Sequence, residues 1–279
     1  MSEQEVVVIT GAGSGIGRGL ARVADQRGMQ TVLVDVDEAG LRETASQLQT
    51  GALVVPADVT DESSVAALAE QSFSRFGRVD LLFNNAGIMR GGLSWEVEPK
   101  EWRRILDVNI MGVVNCLNKF VPPMIAQDRA CRIVNTSSVG GFLASPFISP
   151  YAATKFAVVA LTEALAIELK LKKSKVAVSC LSPGSVRTNI FSDTRTDEFD
   201  GQVKRTVDII STHTQDTGDD PDSFARWVFD GIDADTFWLM SQADLYGPAI
   251  LARAERIVGG VNPELEQYPM ARVGEDAET

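Results

Sequence analysis

Short apolar runs recur along this 279-residue chain, separated by longer stretches that mix apolar and polar positions. The runs are Val6 to Ile9, Thr31 to Val34, Leu53 to Val55, Val79 to Phe83, Arg132 to Val134 and Val176 to Leu181. They are β-branched and almost free of polar residues, which predicts strands covered on both faces. A seventh short strand is expected at Phe237 to Met240. Between them lie segments of helical length and composition, among them Arg18 to Arg27, Ser63 to Arg75 and Pro150 to Lys172. That alternation predicts right-handed βαβ units on a parallel sheet, an α/β fold.

Helix starts are legible. Thr60 before Asp61 and Glu62 reads as a cap followed by acids in the first turn, where the helix dipole favours them. Ser149 before Pro150 reads as a cap with proline at the first helical position. From Thr188 to Asp222 the chain is polar and poorly periodic, which predicts a long excursion of the kind that forms lids and binding loops. The last dozen residues are expected to fray.

Composition narrows the partners. The net charge of −12 repels polyanions, which argues against nucleic acid or an anionic membrane face. No apolar run approaches a membrane helix, and the acidic start Met1-Ser2-Glu3-Gln4-Glu5 is unlike a signal peptide. Cys116, Cys131 and Cys180 are widely spaced within apolar runs, a pattern of cytoplasmic thiols rather than disulfides or metal ligands. No metal is expected. The single histidine, His213, sits among polar residues and is expected to be exposed and idle. It leaves a serine hydrolase without a credible base.

The first strand runs straight into Thr10-Gly11-Ala12-Gly13-Ser14-Gly15-Ile16-Gly17. The generic dinucleotide pattern of glycines does not fit; Thr-Gly-x-x-x-Gly-x-Gly does, using Gly11, Gly15 and Gly17. Glycines here permit a tight turn, close approach of backbone to a pyrophosphate, and close packing of the following helix. The alternative is a glycine-rich turn with no ligand. Asp35 ends the second strand, 18 residues after Gly17. A carboxylate there accepts hydrogen bonds from adenosine ribose hydroxyls and repels a 2′-phosphate. No Arg or Lys occurs between Gly28 and Leu41 to offset it. NAD is therefore the expected cofactor.

Tyr151 and Lys155 are four apart near the start of a helical segment, so they share a face one turn apart. Alcohol oxidation needs a group that takes the hydroxyl proton. A free phenol, with a pKa of about 10, is too weak a base at neutral pH, and a neighbouring ammonium lowers that value. Ser138 follows the fifth strand, at the edge where parallel sheets bind ligands; its hydroxyl can hold a substrate oxygen.

Together these residues resemble the short-chain dehydrogenase/reductase family of the classical type, over about Val6 to Thr188. Asp58-Val59 matches the family's adenine-contacting pair, and Asn84-Asn85-Ala86-Gly87 its Asn-Asn-Ala-Gly motif beside the cofactor. Asn109 falls where the family keeps an asparagine that holds a water next to the catalytic lysine. Ser138, Tyr151 and Lys155 fill the catalytic positions. Pro183-Gly184-Ser185-Val186-Arg187-Thr188 matches the segment around the nicotinamide, and Ser14, Ile16 and Gly17 belong to the loop on the pyrophosphate. The resemblance implies one doubly wound Rossmann-type domain over residues 1–279, with a seven-stranded parallel sheet and helices on both faces. It implies an NAD-dependent oxidoreductase, with Lys155 binding the nicotinamide ribose and tuning Tyr151. It also implies dimers or tetramers formed through helices around residues 100–125 and 150–172. A non-catalytic dinucleotide sensor is the rival reading.

The substrate pocket is expected from Met89 to Trp95, Val139 to Phe147 and Ile190 onward. Phe142, Leu143, Phe147 and Phe191 lean it towards an apolar or cyclic alcohol or ketone. From Trp102 to Val121 apolar residues point to more than one side, which predicts a homo-oligomer. The chain continues past the family's usual end, and residues 241–279 form an extension of unassigned role.

Overall fold

The computed structural model describes residues 4–191 and 201–264. Residues 265–279, which include the tail expected to fray, and residues 192–200 of the excursion lie outside the described residues. Seven strands form one sheet: β1 (Val6–Thr10), β2 (Gln30–Asp35), β3 (Ala52–Pro56), β4 (Leu81–Asn84), β5 (Cys131–Thr136), β6 (Val176–Ser182) and β7 (Trp238–Met240). Their spatial order is β3-β2-β1-β4-β5-β6-β7, every pairing parallel. Strand order therefore reverses between β1 and β4, and open sheets of this kind bind ligands outside the carboxyl ends at that reversal.

Alternation along the strands divides the core. Val6 and Val8 face one side with α3 (Glu62–Phe76), α5 (Gly112–Ala126) and α6 (Ser149–Leu171). Val7 and Ile9 face the other with α1 (Gly15–Gln26), α2 (Glu38–Ser46) and α8 (Pro221–Asp233). The strands are predominantly apolar because both faces are covered. Phe120 fills the first side; Phe83 and Phe229 meet edge to face on the second.

Two caps differ from expectation. Asp61, not Thr60, caps α3, its carboxylate accepting from the Ser63 N–H at 2.9 Å; a carboxylate suits the dipole better than a hydroxyl. α6 starts at Ser149 itself, which makes no cap; Ile148 precedes it, and the Ser149 hydroxyl bonds Ser94 instead. The excursion is more regular than its sequence suggests. α7 (Gly201–Thr217) lies inside it and buries Val203, Thr206, Val207 and Thr214. The helical spacing is there, but two of its four inward positions are threonines, which hide the apolar stripe.

α4 (Pro99–Leu106) and α5 are joined by a π-helical turn, Asp107–Met111, a feature frequent at functional sites. α9 (Ala243–Gly259) follows β7 and has no fully buried residue. Among the described residues no helix is long and apolar enough to cross a membrane.

Candidate active site

The glycine loop is built for close contact. Gly11 and Gly15 have φ of +68° and +47°, in the left-handed region that favours glycine. A Cβ on Gly17 would stand 2.0 Å from the Gly11 carbonyl oxygen, so α1 packs on the loop only because that position is bare. Thr10 anchors the neighbouring strand: its hydroxyl accepts from the N–H groups of Asn85 and Ala86 at 2.9 and 3.0 Å. α1 starts from Ser14 with no side-chain cap and no acid in its first turn. Its positive end is left uncompensated beside the cleft, which suits a phosphate.

Asp35 is held in place by this loop. One carboxylate oxygen accepts from the Gly13 N–H at 2.9 Å and the other from the Asp37 N–H at 3.0 Å. Each oxygen keeps capacity for another donor. Arg18, on α1, is forked onto Glu43 at 2.6 and 2.8 Å and does not line the cleft.

The cleft itself is about 1410 Å³ and runs along the carboxyl edge of the sheet. The loop residues Gly11, Ser14, Gly15, Ile16 and Gly17 line it, as do Asp35, Asp58, Val59, Asn85, Ala86 and Gly87. Ser138, Tyr151, Lys155, Pro183, Gly184, Val186 and Thr188 line it too. Asn109 does not: it is buried behind Gly87, where a Cβ would meet Asn109 Oδ1 and Lys155 Nζ at 3.4 Å each. Its side chain accepts from the Ile88 N–H and donates to the Ile88 carbonyl and Thr154 Oγ1.

Ser138, Tyr151 and Lys155 converge. The Ser138 hydroxyl accepts from the Gly140 N–H at 3.1 Å and hydrogen-bonds the Tyr151 phenol. Gly140 leaves room for both, since a Cβ would contact each at 3.5 Å. Lys155 Nζ lies 5.5 Å from the Tyr151 ring centre and donates to the Thr136 carbonyl at 2.9 Å, which leaves two of its N–H bonds for other acceptors. Burial raises the Tyr151 pKa from its ordinary value, offset in part by Ser138. Burial pushes Lys155 down to about 8. In the protein alone, desolvation thus outweighs the help that the ammonium was expected to give the phenol.

The substrate side departs from expectation. Met89, Leu143, Ile190 and Phe191 line the cleft, but Phe142 packs edge-on against Trp238 and Trp95 is 78% exposed. Phe147 sits with φ of +65° and its carbonyl accepts from Gly92; it is absent from the lining. Thr206, Ile210 and Thr214 of α7 line the cleft within the stretch expected from Ile190 onward, whereas Tyr246, Ala249, Arg253 and Arg256 of α9 were not foreseen from the sequence. His213 is exposed, as expected, at the rim. The extension also braces the loop after β6: Gly184 N–H donates to Ser241 Oγ at 2.8 Å and Ser185 N–H to Gln242 Oε1 at 3.2 Å.

Residues 5–198 match the family model for short chain dehydrogenases. The chain belongs to the short-chain dehydrogenase/reductase family. It is 33% identical over 94% of its length to a Lactiplantibacillus plantarum protein named CLA biosynthesis dehydrogenase/reductase, covering 96% of that protein. A short-chain dehydrogenase/reductase from Burkholderia phymatum, solved in complex with NAD, superposes with a TM-score of 0.87 at 36% identity. That match covers 95% of this chain and 98% of the other. A 3-ketoacyl-(acyl-carrier-protein) reductase from Brucella melitensis, complexed with NADH, gives 0.72 at 33% identity, over 85% and 96% of the two chains. As a member of this family the protein is an oxidoreductase with a cleft of the size and lining a nicotinamide dinucleotide needs.

Proposed function

We propose that the protein is an NAD-dependent dehydrogenase/reductase of apolar or cyclic secondary alcohols and their ketones. The observation that carries this reading is the convergence of Ser138, Tyr151 and Lys155 in the cleft that also holds the glycine loop. Bound NAD supplies the acceptor and donor of the hydride. The Tyr151 phenolate takes the proton of the substrate hydroxyl in oxidation and returns it in reduction. The Ser138 hydroxyl holds the substrate oxygen and stabilises charge on it. Lys155, with two donors left over, binds the nicotinamide ribose and favours the phenolate once the charged ring lies beside it. The N-terminus of α1 and the amides of Ser14, Ile16 and Gly17 hold the pyrophosphate. Asp58 and Val59 border the adenine, while Pro183, Gly184, Val186 and Thr188 hold the carboxamide side.

NAD is favoured over NADP because Asp35 is fixed at the ribose position and Arg18 is neutralised by Glu43. A ribose hydrogen bond to a carboxylate contributes about 1.5–3 kcal/mol, and repulsion of the 2′-phosphate acts in the same direction. A preference for NAD of at least about a hundredfold follows. Kinetics with the two cofactors, across a panel of steroid, terpene and aryl secondary alcohols, test both halves of the reading. Equal efficiency with NADP would show that Asp35 does not reach the ribose; NAD binding without turnover of any alcohol or ketone would favour the sensor reading.

Residues 1–279 are proposed to act as one catalytic domain in the cytoplasm, where the free, buried Cys116, Cys131 and Cys180 stay reduced. A homo-oligomer is supported by exposed apolar residues on the two predicted helical regions: Leu106, Met111 and Ile125, with Ile167 and Leu171 on α6. On the segment from Trp102 to Val121, Ile105, Leu117 and Phe120 are buried in the protomer's own core.

A further inference from the structure

The cleft-facing residues of α9 are Tyr246, Ala249, Arg253 and Arg256, with Leu245 at its edge. Their spacing of three, four and three places them on one helical face. Tyr246 lies against Gly184, where a Cβ would come within 2.8 Å of its ring. At a rise of 1.5 Å per residue, the two guanidinium groups stand roughly 10 and 15 Å further along the helix. Both arginines are half-buried, and among the described residues neither pairs with a carboxylate. Arg253 is instead braced over the Phe156 ring, 4.9 Å from its centre, on the turn of α6 that carries Lys155. The carboxylates lining the cleft among the described residues, Asp35, Asp37, Asp58 and Asp107, all lie on elements other than α7 and α9. In a chain of net charge −12, two arginines that line the cleft with no carboxylate partner among the described residues call for an anion. Thr206 of α7, which lines the same cleft, adds a buried hydroxyl with no hydrogen-bond partner, and buried polar groups are rarely left unpaired.

Taking the dehydrogenase reading as its basis, we propose that Arg253 and Arg256 hold a carboxylate at the far end of the substrate. The substrate class is then a hydroxy or oxo acid whose reacting carbon is separated from the carboxylate by an apolar chain or ring. The apolar walls, Leu143, Ile190, Phe191 and Ile210 among them, take that spacer, and the planar guanidinium fork matches a carboxylate.

The test compares the (omega minus one)-hydroxy derivatives of hexanoic, octanoic, decanoic and dodecanoic acid with their methyl esters, using NAD. The expected result is a preference for acid over ester of about tenfold in kcat/KM, carried by KM, for the length that spans the gap. That factor is 1.4 kcal/mol, modest for a half-buried charge-assisted pair. In Arg253→Gln/Arg256→Gln the acid-to-ester ratio should fall to about one. A second readout needs no chemistry: calorimetry of decanoate, which lacks the hydroxyl, against the protein with NAD should show binding that the double variant loses. Equal use of acid and ester by the wild type, or a preference that survives in the double variant, would overturn the clamp. If no hydroxy compound turns over, the dehydrogenase reading fails. Decanoate binding then decides the clamp alone: dependence on the two arginines upholds it, and indifference to them overturns it.

Discussion

The two ends of the cleft are built on different terms. At the cofactor end, chain meets chain: Gly17 on the Gly11 carbonyl, Gly11 on Ala86, Asp35 on the Gly13 N–H, Asn85 on Thr10. These are backbone constraints that a larger side chain cannot escape by rotating. At the substrate end, the walls are side chains of α7 and α9, helices outside the sheet; where the carboxamide side adjoins it, the neighbours of Gly184 are side-chain atoms of Gln242 and Tyr246 rather than backbone. The difference teaches where one framework is kept and where its use varies. A rigid end can serve one cofactor, and an adjustable end can be refitted to another substrate.

Gly17→Ala gives the largest expected effect. Its methyl would collide with a backbone carbonyl, so NAD affinity should fall by orders of magnitude, read by quenching of protein fluorescence. Affinity within about threefold of wild type would mean that the loop is softer than its contacts indicate.

Lys155→Met gives the next. The folded-state pKa of about 8 against an ordinary 10.5 means that burial disfavours the ammonium. Below about pH 8 the lysine is charged in both folded and unfolded states, and the full penalty is present. It fades as pH rises from 8 towards 10.5, because there the unfolded chain binds the extra proton. The difference corresponds to roughly 3 kcal/mol. Without cofactor, the Met variant should therefore melt above wild type at pH 7, and this advantage should shrink near pH 10. A variant that melts lower at pH 7 would mean that the Thr136 carbonyl and the surrounding dipoles outweigh desolvation.

Gly184→Ala gives the smallest. Its methyl meets the Gln242 amide oxygen at 2.4 Å and the Tyr246 ring at 2.8 Å, side-chain atoms that can move, for Gln242 at the cost of its hydrogen bonds to Ser185 and Asp219. NAD affinity should change by about threefold or less, while substrate KM shifts more. A loss as large as that of Gly17→Ala would erase the contrast between the two ends.

The same contrast explains what the sequence revealed. Strands covered on both faces advertise themselves, so all seven were legible to within two residues. The glycine loop, Asp35 and the Ser138, Tyr151 and Lys155 set were readable because close approach and proton transfer admit few residue types at those spacings. α7 was not, because Thr206 and Thr214 take inward positions that an apolar pattern assigns to leucine or valine. Arg253 and Arg256 were invisible: a basic residue on an amphipathic helix reads as solvated until the fold turns that face into a cleft. Phe142 and Phe147 show the reverse error, since aromatic residues near a pocket pack into walls as readily as they line it.

The most direct test of the account is Tyr151→Phe, with cofactor binding and turnover measured on the same sample. The phenyl ring keeps the packing and loses only the hydroxyl. NAD should bind within about threefold of wild type while turnover of a working alcohol falls by at least about a hundredfold, the scale of general acid–base catalysis. Retention of more than a tenth of wild-type turnover would show that another group moves the proton.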